Sequence, residues 1–370
     1  MSTSDLNNIF GQVGDGSGLS HQDMIYPEEL ALAFRNRGML LEALAYDITP
    51  TGMHYLLTHF DVPNINAETW SLSLKGLFKN PTTLQLSDLL NRPKVTMPVT
   101  LECAGNGRAK LHPRPISQPW LLEAIGTAEW TGTPLKYLLQ EAQIDDKAVE
   151  LVFTGRDQGI QGGEIQFYQR SLTIEEAMRS EVLLSYEMNG APLEPQHGFP
   201  LRLIVPGWYG MTSVKWLDSI EAVSEPFMGY QMDKTYRYAT SREELGERVS
   251  TMRVRALMSP PGIPEFMTRG RLLNPGLTRV IGRAWAGPAK IEKVEFSSDS
   301  GQTWNEGTLD KPIGEFAWTG WHFDWAATSG KHKLSVRATD EKGNVQPIQQ
   351  PWTAHGMGNN MAQEVDVFVT

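Results

Sequence analysis

The chain has 370 residues, with 33 Lys+Arg against 43 Asp+Glu and a formal charge of −10. That length exceeds what one hydrophobic core ordinarily serves, and 40% apolar with 21% charged residues is ordinary globular composition, which excludes fibrous and broadly disordered classes. The acidic balance argues against nucleic acid as a partner, since non-specific binding needs basic surface, but it leaves room for a local basic pocket.

Residues 1–25 are polar and carry Gly11, Gly14, Gly16 and Gly18, which predicts a loose lead-in. This start lacks the basic-then-apolar layout of a secretory signal, so the expected location is cytoplasmic, or periplasmic had a leader been removed. No run of 18 apolar residues occurs, and no membrane span is expected. Over residues 26–248 the texture is mixed. Short apolar runs at 95–101, 149–153 and 200–205 predict buried strands. Helical stretches at 134–141 and 173–179 lie between them, the second opening at a cap, Thr173, followed by Glu175 and Glu176. Strands and helices mix without a βαβ rhythm, which points to an α+β domain.

Over residues 249–370 the texture changes. Ser259-Pro260-Pro261-Gly262 is a break, and strands are predicted at 279–285, 291–297, 316–325 and 333–339. Lys333-Leu334-Ser335-Val336-Arg337-Ala338 alternates polar and apolar, as a half-buried sheet face requires. Six of the 11 Trp fall between Trp285 and Trp352, and the region reads as an immunoglobulin-like β-sandwich.

The single cysteine, Cys103, excludes an intramolecular disulfide and any Cys-built zinc or iron–sulfur cluster. It ends a predicted strand and is followed by Ala104-Gly105-Asn106-Gly107, where backbone approaches a ligand without side-chain bulk. Arg108 adds a permanent cation nearby. Two readings stand: a thiolate poised for reaction or metal binding, and a buried sulfur acting as a small hydrophobe.

Residues 100–108 resemble the cysteine loop of the sulfite oxidase family of molybdenum enzymes. The resemblance continues through Gln118-Pro119-Trp120, residues 126–130, residues 182–190, His197-Gly198-Phe199-Pro200-Leu201-Arg202, residues 205–210 and residues 214–217. The tail is similar to that family's dimerisation domain at Ala284-Trp285-Ala286-Gly287 and Ser300-Gly301-Gln302-Thr303-Trp304. The resemblance implies a molybdopterin-binding domain of mixed α/β structure followed by the sandwich, and a homodimer. It also implies one molybdenum held by a pterin dithiolene, with Cys103 as the single protein ligand. Soft thiolate ligation suits such a metal. By motif position the cofactor lies against His59, Ala104, Gly105, Asn106, His197, Arg202, Ser213 and Lys215, the cations serving its phosphate. Arg108, Tyr236, Trp120 and His355 are implied at the substrate.

The implied reaction is oxygen-atom transfer: oxidation of sulfite or a related small sulfur oxyanion, with electrons passed to a separate acceptor such as a cytochrome or dioxygen. A nitrate or sulfoxide reductase on the same cofactor, and a cofactor-poor dimeric scaffold, are the competing readings. Three positions depart from the family pattern. Leu57 stands where an arginine precedes His59, His355 stands for a second arginine, and Thr235 replaces an aspartate before Tyr236. Arg35 or Arg37, upstream in Phe34-Arg35-Asn36-Arg37-Gly38, is a candidate to fold over the pocket instead. A charged hydrogen bond contributes about 1.5–3 kcal/mol, so two missing arginines predict sulfite binding weaker by roughly 10²–10⁴-fold.

Overall fold

The computed structural model describes residues 24–241, 243–350 and 352–370; most of the expected lead-in lies outside the described residues. The first half is built on two five-stranded sheets, one mixed and one antiparallel throughout. In one, the order is Thr82–Gln85, Ser71–Gly76, Leu217–Val223, Glu150–Gln161 and Glu164–Thr173, with only the second and third parallel. In the other, Val95–Glu102, Ile125–Pro134 and Leu183–Met188 run antiparallel, and both Ala191–Pro192 and Arg202–Ile204 pair with the last of these. Leu72, Phe153, Ile220, Leu184 and Leu203 meet in one core between the sheets. The helix Leu135–Ala142 adds Leu135, Leu138, Leu139 and Ala142 to it, the i, i+3, i+4, i+7 stripe of an amphipathic helix.

Several elements differ from the sequence reading. The run expected at 200–205 pairs only over Arg202–Ile204. The helix expected over 173–179 is one turn, Ile174–Ala177, although Thr173 and Glu176 do form the reciprocal cap. The strand expected at 149–153 is the start of a long hairpin, Glu150–Gln161 with Glu164–Thr173, whose polar residues concealed it. Its register shifts between Thr154 and Gln158, an irregularity that accompanies a buried Asp157.

The second half is a sandwich. A four-stranded sheet holds Arg255–Ser259, Gly276–Trp285, Thr319–Ala327 and Thr308–Leu309, and a six-stranded sheet includes Ile291–Ser297, Gly330–Asp340 and Gln363–Val369. Val280, Trp321 and Trp325 from one sheet pack against Phe296, Leu334, Val336 and Val367 from the other. Among the described residues no helix is long and apolar enough to cross a membrane.

The two halves share a third core, in which Met39, Leu44, Ala104 and Tyr209 pack with Val249, Leu257, Trp285, Trp318 and Met357. Backbone bonds reinforce it along the strand that leads into Cys103. Thr100 N–H donates to the Phe316 carbonyl at 2.9 Å, and Trp318 N–H donates to Thr100 Oγ1 at 2.7 Å. The sandwich is thereby fastened to the edge of the strand that carries the cysteine.

Candidate active site

Strand Val95–Glu102 ends one residue before Cys103, whose N–H donates to the Ala124 carbonyl at 2.9 Å. Asn106 holds the turn that follows. Its Nδ2 donates to Glu102 Oε1 and the Leu122 carbonyl, both at 3.0 Å, and its Oδ1 accepts from Ala124 N–H at 3.1 Å. Gly107 has φ +86°, a left-handed conformation that favours glycine. At Gly105 the constraint is proximity: a Cβ there would sit 2.3 Å from Arg108 Nη2. The loop is closed from the far domain, because Gly358 N–H donates to the Ala104 carbonyl and Asn359 Nδ2 to the Gly107 carbonyl, each at 2.7 Å.

Cys103 lies where two cavities meet, since it lines both. Leu57, His59 and Tyr236 also face both, and His59 Nε2 is 2.7 Å from the Tyr236 hydroxyl. Burial pushes the Cys103 thiol up, against the pull of the Arg108 guanidinium, the Gly105 N–H and the Trp120 indole. A coordinated metal cation reverses that balance and deprotonates a thiol outright.

The inner cleft is cationic. Arg202 donates to the His197 carbonyl at 2.9 Å and the Ser213 carbonyl at 3.2 Å, and its guanidinium lies 4.7 Å from the Trp130 ring centroid. Lys215 Nζ donates to the carbonyls of Leu57 (2.7 Å) and Gln196 (3.0 Å). Burial and the neighbouring Arg202 lower Lys215 to about 7. His197 is lowered to about 2 by burial, with His54, Arg202 and Lys215 adding to it; His59 falls to about 3 and His54 to about 4, also chiefly by burial. These three imidazoles are therefore neutral. Asp157 is the one carboxylate lining the cleft among the described residues, raised to about 6 by burial against the pull of Lys215.

The outer cavity differs in chemistry. Leu32, Leu57, Phe60, Ile116, Ile160, Trp120 and Met357 line it beside uncharged Asn36, Thr58, Gln118, Gln231 and Thr235. Among the described residues Arg108 is its one arginine or lysine. That guanidinium is held in place by the His355 carbonyl (Nε, 3.0 Å), the Gln118 carbonyl (Nη1, 2.9 Å) and Met357 Sδ (Nη2, 3.6 Å). Three of its five N–H groups are thus engaged inside the protein.

The residues anticipated from sequence distribute as follows. Cys103, His59, His197, Arg202, Ser213 and Lys215 line the inner cleft, while Gly105, Arg108, Trp120, Tyr236 and His355 line the outer cavity. Ala104 and Asn106 line neither; Ala104 packs in the shared core and Asn106 is occupied with holding the loop. Arg35 and Arg37 do not reach the pocket. Arg35 is drawn away by the Phe60 carbonyl at 2.7 Å and Asp61 at 3.3 Å. Sequence reasoning missed His54, Asp157, Tyr168 and Arg170. Tyr168 and Arg170 stand two apart on one strand, so alternation placed them on one face once the strand was recognised.

A molybdopterin fits this donor set. Among the described residues Nε2 of His197 and Nε of Arg202 are buried without a hydrogen-bond partner, a cost of about 1–3 kcal/mol each that a polar, anionic occupant offsets. Among the described residues no group of three His, Cys, Asp or Glu gathers to hold a metal, so a metal at Cys103 needs further ligands supplied by a cofactor.

Comparison with known proteins agrees. Residues 59–231 match the oxidoreductase molybdopterin binding domain and residues 248–370 the Mo-co oxidoreductase dimerisation domain. The chain is 32% identical over 342 residues to a nitrate reductase (NADH) of Cichorium intybus, covering 85% of this chain and 37% of that protein. It is 30% identical over 346 residues to human mitochondrial sulfite oxidase, covering 87% of this chain and 62% of that protein. The chain thus spans between about two-fifths and three-fifths of these relatives. The crystal structure of the sulfane dehydrogenase SoxCD from Paracoccus pantotrophus superposes with TM-score 0.75 at 23% identity, covering 100% of this chain and 92% of that one, which shows a common fold. Two family domains in succession, together with a lone thiol set between a cationic cleft and an outer cavity, make this chain a member of the sulfite oxidase family of molybdopterin-dependent oxidoreductases.

Proposed function

We propose that this chain catalyses oxygen-atom transfer to a small sulfur compound, sulfite or a related oxyanion, and passes the electrons to a separate acceptor. The observation that carries the reading is the position of Cys103 at the junction of the two cavities. Arg202, Lys215, His197 and His54 would hold the anionic, polar part of the cofactor in the inner cleft, with Cys103 as protein ligand to its metal. When bound, that group supplies the two-electron redox chemistry and the transferable oxygen.

The protein's own contribution lies in orientation and charge. Arg108 offers its remaining N–H groups to substrate oxygens, and Tyr236, fixed by His59, presents a hydroxyl beside them. Trp120 and the apolar walls limit water. The outer cavity is poor in cations for a doubly charged ion, which supports a high KM for sulfite. Reduction of nitrate is the second reading, favoured by the likeness to nitrate reductase. The match to the dimerisation domain supports a homodimer, and a monomeric mass in solution would count against it.

The test uses molybdenum-loaded protein. Sulfite oxidation with an artificial one-electron acceptor, faster than nitrate reduction with a reduced viologen, is the expected result; the reverse order favours the second reading. Leu57→Arg adds a cation to the outer cavity and should lower the KM for sulfite about ten-fold, the effect of one charged hydrogen bond. An unchanged or raised KM would remove sulfite-like anions as occupants.

A further inference from the structure

One buried cation is unaccounted for by the cofactor cleft. Arg170, on strand Glu164–Thr173, is 1% exposed, and among the described residues it forms no ion pair with a carboxylate. Its nearest cationic neighbours are neutralised: Arg237 by Asp233 at 2.7 Å and Arg248 by Glu150 at 3.3 Å. Arg170 instead donates to the Gln231 carbonyl and, at 3.4 Å, to the Val249 carbonyl, while its Nε finds no partner. Its guanidinium sits 5.3 Å from the ring centroid of Tyr236. Tyr168, two residues back on the same face, tilts its ring onto His59 at 4.6 Å and anchors its hydroxyl to the Met211 carbonyl at 2.7 Å. Arg170, Tyr236, His59 and Tyr168 thus form one cluster at the junction of the cavities.

An unpaired buried charge is costly and projects its field through a medium that screens it weakly. Tyr236 both lies against that charge and lines the outer cavity. A cation against the ring face polarises the phenol and strengthens its hydroxyl as a donor.

We infer that Arg170 is a positioning residue which, acting through Tyr236, adds anion-attracting potential to an outer cavity where Leu57 and His355 stand at positions the family resemblance gives to arginine. The inference rests on the reading that Tyr236 faces the substrate. It predicts an anion site whose strength depends on a residue that lines neither cavity.

The experiment measures sulfate binding to molybdenum-loaded protein by titration calorimetry, which needs no turnover. Arg170→Met should weaken sulfate binding about ten-fold, and Arg170→Lys should retain most of the affinity. Tyr236→Phe should weaken it to a similar extent, and on that background Arg170→Met should add less than about two-fold, because the coupling has been removed. Equal losses on both backgrounds, or no loss, would overturn the inference, as would a wild-type protein that binds no sulfate. Arg170→Gln removes charge while keeping donors, and it serves if the Met variant misfolds. Should both fail, an unweakened Tyr236→Phe is by itself sufficient to refute the coupling. Arg170-dependent sulfate binding without sulfite turnover sinks the sulfite reading and leaves this inference standing; sulfite turnover without Arg170-dependent binding does the opposite.

Discussion

Glu102 directly precedes the cysteine and is 2% exposed. Its carboxylate accepts from Arg255 Nη1 at 2.8 Å, Trp285 Nε1 at 2.9 Å and Asn106 Nδ2 at 3.0 Å, so one side chain joins the sandwich to the cysteine loop. Arg255 is fully buried; its further acceptor is the Asn359 carbonyl at 2.9 Å, and among the described residues its Nε and Nη2 have none. Glu102→Ala leaves that guanidinium as an uncompensated charge, which costs about 3–5 kcal/mol. The orphaned Trp285 and Asn106 donors fall within the same loss, because the vacated space admits water. Removing both charges is different: Glu102→Leu with Arg255→Met leaves no unpaired ion and should cost well under half as much. Denaturant titration of metal-free protein, followed by tryptophan fluorescence, reads this as a lower midpoint with unchanged slope. A Glu102→Ala loss below about 1 kcal/mol, or a double variant as unstable as the single, would refute the reasoning.

Two other perturbations address the inner cleft. Arg202→Met removes a charged fork and should cut pterin content at fixed cofactor supply by at least about ten-fold, measured by pterin fluorescence after denaturation; unchanged content would place the phosphate elsewhere. Acid should destabilise the metal-free chain. His54, His59 and His197 all titrate well below 6.5 when folded, so between pH 6.5 and 4 the unfolded state binds more protons at these three, while Asp157, raised to about 6, offsets one. Stability therefore falls as pH drops through that window, by about 1.4 kcal/mol per pH unit for each net proton. Lys215, lowered to about 7, has the same sign, its contribution growing as pH rises from 7 toward 10.5. A denaturation midpoint that rises between pH 6.5 and 4.5 would contradict the burial of neutral histidines.

Where local pattern and burial coincide, the fold was readable. The strand expected at 291–297 is Ile291–Ser297, where Val294 and Phe296 alternate into a core, and that at 95–101 is Val95–Glu102, whose apolar end is buried. The hairpin Glu150–Gln161 with Glu164–Thr173 was concealed because it carries polar residues such as Asp157 and Arg170, which are nonetheless buried. Polar residues inside a strand violate the pattern that betrays strands, and here they mark the chemistry. Strand Gln363–Val369 was overlooked although Val365, Val367 and Val369 alternate. The cysteine, its arginine and the cationic set were legible through family motifs. What motifs did not reveal is how side chains are disposed: Asn106 and Ala104 support the loop from behind, and Arg35 is captured by Asp61. Such outcomes depend on contacts between residues distant in sequence, which no window of residues contains.

The most direct test is molybdenum content together with the sulfur count around it. Wild-type protein expressed with ample molybdate should take up about one metal per chain, the single-site load that one thiolate ligand implies. Molybdenum-edge X-ray absorption should show one sulfur neighbour fewer in whatever metal Cys103→Ser retains, with the variant's fold and stability nearly unchanged. Identical sulfur counts in the two proteins, or a wild-type chain that acquires no molybdenum, would contradict the assignment of Cys103 as the protein ligand.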